Sequence, residues 1–150
     1  MIMEKAIIKQ LDAQLRYNEG IIKDTQIILK VSSTRQSVKC PYCGFESTKV
    51  HSVYQREIQD IPIQDKQTIL LVDTRKMFCT NSECNHKTFA ESFDFVSPKG
   101  KKTNRLIEKI LLTSAKMSSV NAATLLKADA IKTSKSSICD LLKKNAKHCG

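Results

Sequence analysis

The chain has 150 residues and a formal net charge of +10. That length suits one domain or two small ones, and no run of about 18 apolar residues offers a membrane span. Met1–Gln10 lacks the long apolar core of a signal peptide, so the six cysteines are expected as thiolates in a reducing cytoplasm rather than as disulfides.

Ile7, Ile8, Leu11 and Leu15 recur at helical spacing, which predicts a helix within Met1–Tyr17. Asn18-Glu19-Gly20 reads as a turn, and the Ile- and Val-rich run from Ile21 to Val31 as one or two strands. Ser32–Ser37 is a polar connection into Cys40-Pro41-Tyr42-Cys43-Gly44. A second close pair, Cys79 and Cys84, follows after an insert of 35 residues. Two close cysteine pairs across a β-rich insert have the form of one tetrahedral four-thiolate zinc site. Cys40, Cys43, Cys79 and Cys84 are therefore the expected ligands of one structural zinc ion. The competing reading is a disulfide or four unrelated thiols. His51 and His86 compete as ligands, but four cysteines already complete the shell, so both are read as exposed or hydrogen-bonded strand residues.

Within the insert, Lys49–Ile58 alternates as a strand, and Asp60-Ile61-Pro62 ends or bends it. Gln64–Gln67 is polar enough for a hairpin turn, and Thr68–Phe78 forms a second strand that delivers Cys79. Lys87–Phe89 adds a short strand that brings Phe89 near the sulfurs. The layout is that of a zinc ribbon with a long insert.

Ser97–Lys102 reads as a flexible, basic linker, after which the period becomes helical. Thr103 caps a helix reaching Lys116, with Leu106, Ile107, Ile110, Leu111 and Leu112 as its apolar face. Ser119 caps a second helix through Leu126, with Val120, Ala123 and Leu126 inward. Lys127–Thr133 is a turn with Ile131 inward, and Ser134 caps a third helix, Lys135–Asn145. Cys139 on that helix is read as a small packed residue, and His148 and Cys149 as a frayed tail. Residues 1–96 carry a net charge of +1 and residues 97–150 carry +9. The helical pattern with this charge predicts a helix-turn-helix on duplex DNA. Lys135, Ser136 and Ser137 would lie nearest the bases; Arg105, Lys132, Lys143 and Lys144 would hold phosphates. Lys101, Lys102 and the cap Ser134 complete the expected DNA-binding set.

Several motifs together resemble one family. They are Cys-Pro-x-Cys-Gly, Val50–Arg56, Asp60-Ile61-Pro62 and Arg75-Lys76-Met77-Phe78-Cys79. They continue in Lys87-Thr88-Phe89-Ala90-Glu91 and Thr103-x-Arg105-Leu106. The chain resembles the N-terminal part of bacterial insertion-sequence transposases of the ISL-three type. It departs at Pro62-Ile63, where the family often has Pro-Trp, and at Ala130, where a glycine often precedes the isoleucine. The resemblance implies a zinc finger, a helix-turn-helix and a large RNase H-like catalytic domain with three metal-binding carboxylates. That last domain is expected to be missing from this chain, so no catalytic residue and no strand cleavage are carried over.

The expected fold is α+β: a small β-rich zinc-ribbon-like module followed by an all-α helix-turn-helix three-helix domain. Its expected parts are an N-terminal helix and strands over 1–37, a four-cysteine ribbon over 38–96, a basic linker over 97–102 and the DNA-binding domain over 103–146. The expected function is sequence-specific binding of the terminal inverted repeats of an insertion sequence. The alternative is a protein-interaction module that dimerises with, or inhibits, full-length transposase. Double-stranded DNA is the expected partner, with itself or a full-length transposase as a second; no membrane and no small-molecule substrate are expected.

Overall fold

The structure, a computed structural model, describes residues 2–115, 117 and 119–146, except the side chains of 2, 119, 145 and 146. Helix α1 (Ile2–Leu11) is shorter than expected, because Leu15 already belongs to a strand, where it is fully buried. Strand β1 (Leu15–Ile22) runs straight through Asn18-Glu19-Gly20. That polar triplet is a bulge, with the register shifting between Tyr17 and Glu19, and the chain turns only beyond Ile22. Strand β2 (Gln26–Ser33) returns antiparallel and buries Ile27, Leu29 and Val31 on one face.

Two short strands, β3 (Val38–Lys39) and β4 (Glu46–Ser47), form a separate hairpin. Long strands β5 (Val50–Ile63) and β6 (Lys66–Phe78) pair antiparallel through a two-residue turn. Gln64 and Asp65 both have positive φ there, 52° and 62°, as a tight hairpin twisted with its strands demands. Asp60-Ile61-Pro62 bends β5 without ending it, and the register shifts between Asp60 and Ile63. Strand β7 (Thr88–Ala90) pairs with the end of β6.

β6 is the central strand. β5 covers one edge, and β2 lies parallel to it on the other, from Gln26 beside Gln67 to Ser32 beside Asp73. β7 continues that second edge beyond β2, at Lys76–Phe78. The sheet order is β1-β2-β6-β5, with β7 beside β6, making five strands. Its core holds Ile8 from α1, Leu15, Leu29, Ile58, Leu70 and Val72 from the strands, and Phe93, Phe95 and Val96 from the segment after β7.

Helices α2 (Asn104–Ser114), α3 (Ser119–Ala128) and α4 (Lys135–Ala146) follow the sheet. Leu106, Ile110, Ala122, Leu126, Ile131 and Ile138 are buried among them. Val120, expected inward, is instead 55% exposed, and Ala122 takes the buried position. Expectations for Lys116, His148 and Cys149, and for the side chain of Ser119, lie outside the described residues.

The expected fold class, a small ribbon followed by an all-α helix-turn-helix three-helix domain, is overturned. The chain is β-rich, and its described residues form a five-stranded mixed sheet and four helices, one of them before the sheet. The helices are also continuous with the sheet. Ile61 of β5 packs into the helical core. Gln59 bridges to Lys102, its N–H bonded to the Lys101 carbonyl at 2.9 Å and its carbonyl accepting from Thr103 at 3.0 Å. The strand-like and helical periods were each legible, but these joints lie about 40 residues apart in sequence and leave no periodic trace.

Candidate metal centre and basic surface

The strands place the four cysteines. Cys40 follows β3, and the Cys40 N–H bonds the Phe45 carbonyl at 2.9 Å while Gly44 N–H returns to the Cys40 carbonyl at 2.8 Å. Gly44 adopts φ +80°, which closes this knuckle at no steric cost. Cys79 follows β6 directly, its N–H bonded to the Lys87 carbonyl at 2.8 Å. Cys84 N–H bonds the Asn81 carbonyl at 3.1 Å, forming the second knuckle.

The four sulfurs lie within 4.8 Å of one another. Cys40 and Cys84 sulfurs are 4.0 Å apart, and those of Cys43 and Cys79 are 3.6 Å apart. A tetrahedral ion with Zn–S bonds of about 2.3 Å requires S···S separations of about 3.8 Å. Neither histidine joins the cluster. His51 Nδ1 lies 3.0 Å from Ser52 Oγ, and the His86 ring stacks on Tyr42 at 3.5 Å with planes 6° apart.

The sulfurs share protons unequally. The Phe45 backbone N–H, and then the Asn81 side chain, draw the Cys43 thiol down to about 6. The Asn81 backbone N–H favours the Cys79 thiolate, but desolvation and the neighbouring sulfurs outweigh it and push that thiol up to about 12. Zinc takes thiolates, so binding displaces the protons held here. Val38, Cys40, Met77 and Phe89 form a small buried core beneath the sulfurs, so Phe89 sits where the sequence placed it. Ser47 Oγ donates to the Phe78 carbonyl at 2.5 Å and ties the β3–β4 hairpin to β6.

This arrangement is a four-thiolate zinc ribbon, and it fits one structural zinc ion with no position left for substrate. Residues 36–84 match the family model described as the zinc-finger of transposase IS204/IS1001/IS1096/IS1165. In comparisons with curated proteins and with solved structures, nothing matches the chain.

The residues expected at DNA are distributed over three places. Lys101 and Lys102 lie in the segment between β7 and α2. Lys101 is exposed; Lys102 is half-buried, and burial, then the Lys101 charge, holds its ammonium below the usual lysine range. Their segment is fastened to β5. Gly100 N–H bonds the Ser97 carbonyl at 2.8 Å, and Arg56 Nη2 donates to the Ser97 and Gly100 carbonyls at 3.2 and 2.8 Å. Arg105 is engaged by Asp60: Nε donates to Oδ1 at 2.8 Å and Nη2 to Oδ2. Thr103 Oγ1 donates to the same Asp60 Oδ1 at 2.7 Å and accepts the Leu106 N–H, so the α2 cap and the ion pair share one carboxylate.

Lys132, Ser134, Lys135, Ser136 and Ser137 gather at the start of α4. Ser134 Oγ accepts the Ser137 N–H at 3.1 Å and caps the helix. Lys143 and Lys144 are exposed in its last turns, about 12 Å further along the axis from Ser136.

Sequence reasoning missed two buried carboxylates. Asp60 is one. Glu91 is the other: its carboxylate accepts from Arg75 Nε at 3.1 Å and Nη2 at 2.8 Å, and Arg35 lies 3.7 Å away. Each carboxylate and its bidentate arginine lie in motifs that carry the family resemblance, and that was the one available signal.

Proposed function

We propose that this chain is the DNA-binding portion of a zinc-finger transposase and that its targets are the terminal inverted repeats of an insertion sequence. The observation that carries the reading is the four-thiolate ribbon of residues 40–84 inside a match to a transposase zinc finger. The charge distribution supports it: residues 97–150 hold +9 of the net +10. In this reading zinc fixes the ribbon, and duplex DNA is held by Lys101, Lys102, Lys132, Lys135, Lys143 and Lys144, with Ser136 and Ser137 near the bases. Strand cleavage is no part of this reading.

The test is duplex binding across a salt series, using the terminal DNA of the parent element and a shuffled duplex. Tighter binding to the terminal sequence, lost with a chelator, is expected. Lys143→Ala with Lys144→Ala should flatten the slope of log K against log salt by about 0.9 per phosphate contact removed. Equal, purely salt-driven binding to both duplexes would overturn sequence reading.

A second reading, a module that pairs with itself or with full-length transposase, is favoured by Leu112, Val120 and Leu125, which are all exposed on α2 and α3. Mixed complexes that survive nuclease treatment would support it.

A further inference from the structure

We infer that the chain carries a second nucleic-acid site, a groove across the sheet that takes an unpaired strand with its bases turned inward. The inference rests on the nucleic-acid reading above and adds a groove that shares Lys101 and Lys132 with the duplex set, and a separate form of ligand. The groove has a volume of about 1050 Å³. It runs from Tyr42 and Tyr54 at the zinc end, past the 98–101 turn, to Lys132 before α4. That volume is at or beyond the upper end of small-molecule pockets, about 300–1,000 Å³, and suits a length of chain better than one metabolite.

Its lining differs in exposure, with Ile69, Glu91, Phe93 and Val96 among its buried members. Lys99, Lys101 and Lys132 are exposed and form a cationic rim. Below them lie amides: Gln59 is buried, and Gln26 and Gln67 are half-buried, with Gln26 Nε2 donating to Gln67 Oε1 at 3.2 Å. Gln59 Nε2 is fully buried and has no hydrogen-bond partner among the described residues. An unpaired buried donor costs about 1–3 kcal/mol unless a ligand satisfies it. An adjoining cavity of about 760 Å³ shares Gln67 and Lys132, and there Thr133 Oγ1 is a second buried atom without a described partner. Each of the two cavities that Lys132 lines therefore holds one such polar atom.

Cations above and amides below match a strand with phosphates outward and base edges inward. Phosphates take lysine contacts, and base edges take a side chain that both donates and accepts. An acidic peptide could meet the rim and its backbone could answer the amides, but it offers the exposed Tyr54 ring no run of flat bases to stack on. A base held in duplex cannot descend to a buried amide, whereas a splayed base can, with the exposed Tyr54 ring in the same lining to stack on. The exposed carboxylate of Glu57 also lines the groove and opposes phosphate, which gives a test of sign.

The experiment is anisotropy of the zinc-loaded full chain with a labelled single-stranded oligonucleotide and with a duplex of the same sequence. Gln59→Leu, and separately Tyr54→Ala at an exposed position, should each weaken single-strand binding about tenfold and leave duplex binding within about twofold. Glu57→Gln should tighten the single strand. Single-strand affinity unchanged in both floor and ring variants, or equal losses on duplex, would overturn the groove while leaving duplex recognition standing. Displacement of the strand by poly-glutamate as readily as by unlabelled oligonucleotide would reassign the groove to acidic peptides. Binding to neither form of DNA would sink both readings together.

Discussion

Asp60 and Glu91 are taken almost wholly out of water, and each is answered by a bidentate arginine. An isolated buried carboxylate would be costly, and the guanidinium fork answers each with two charge-assisted hydrogen bonds. Removing one partner leaves the other charge uncompensated. Asp60→Ala should cost about 3 kcal/mol, at the lower end for a broken buried pair because Arg105 keeps partial access to water. A urea titration would measure it, and a loss below about 1 kcal/mol would mean that Asp60 is not a fastening between sheet and helix. The sequence names both residues in motifs but cannot pair them: Asp60 and Arg105 are 45 positions apart, and Arg75 and Glu91 are 16 apart. The cysteines were readable at the same scale, because short spacing within each pair is a local property that metal geometry rewards.

At the scale of elements, what could be read was what neighbours in sequence determine. The β5–β6 hairpin follows from two alternating runs around Gln64-Asp65, and the caps Thr103 and Ser134 follow from residue type. The bulge at Asn18 was hidden because a polar triplet with glycine serves a turn and a bulge equally well. The end of α3 is more telling. Ile131 N–H bonds the Leu126 carbonyl at 2.8 Å and Ala130 N–H bonds that of Lys127 at 3.1 Å, a Schellman closure with Ala130 at φ 63°. Glycine is the usual residue there, since a Cβ is strained in that region. Ala130→Gly should therefore stabilise the chain by about 0.5–1 kcal/mol, relief of strain exceeding the entropy that glycine adds to the unfolded state. A raised urea midpoint with unchanged m-value is expected; a lowered one would show that the entropy wins.

At the scale of the whole molecule, the buried hydrophobic residues among those described form three clusters. The one under the zinc contains Val38, Cys40, Met77 and Phe89, and the sheet core is distinct from it. So small a cluster cannot hold its loops without the ion. A chelator should release amide protection over residues 38–47 and 79–90 in hydrogen exchange, while β1 and β2 stay protected. Loss of protection throughout would mean that zinc holds the sheet as well. The charge asymmetry was plain in the sequence and pointed to nucleic acid, whereas the linker read at 97–102 is, in the structure, part of a joint. Charge records which surface faces water and ligands, whereas Gln59, Ile61 and Thr103 meet in the interior.

The parallel alignment of β2 with β6 also sets a timetable for synthesis. Gln26 waits for Gln67, 41 positions later, and Cys40 waits for Cys84, 44 positions later. At about 5–20 residues per second, a ribosome leaves roughly 2–9 s in which β2 has one edge bare and the first two thiols have no second pair. A bare strand edge is open to pairing with another chain. β6 ends both intervals almost at once: it fills the edge of β2 and leads straight into Cys79. A pause placed just before its codons would lengthen the vulnerable interval without altering a single residue.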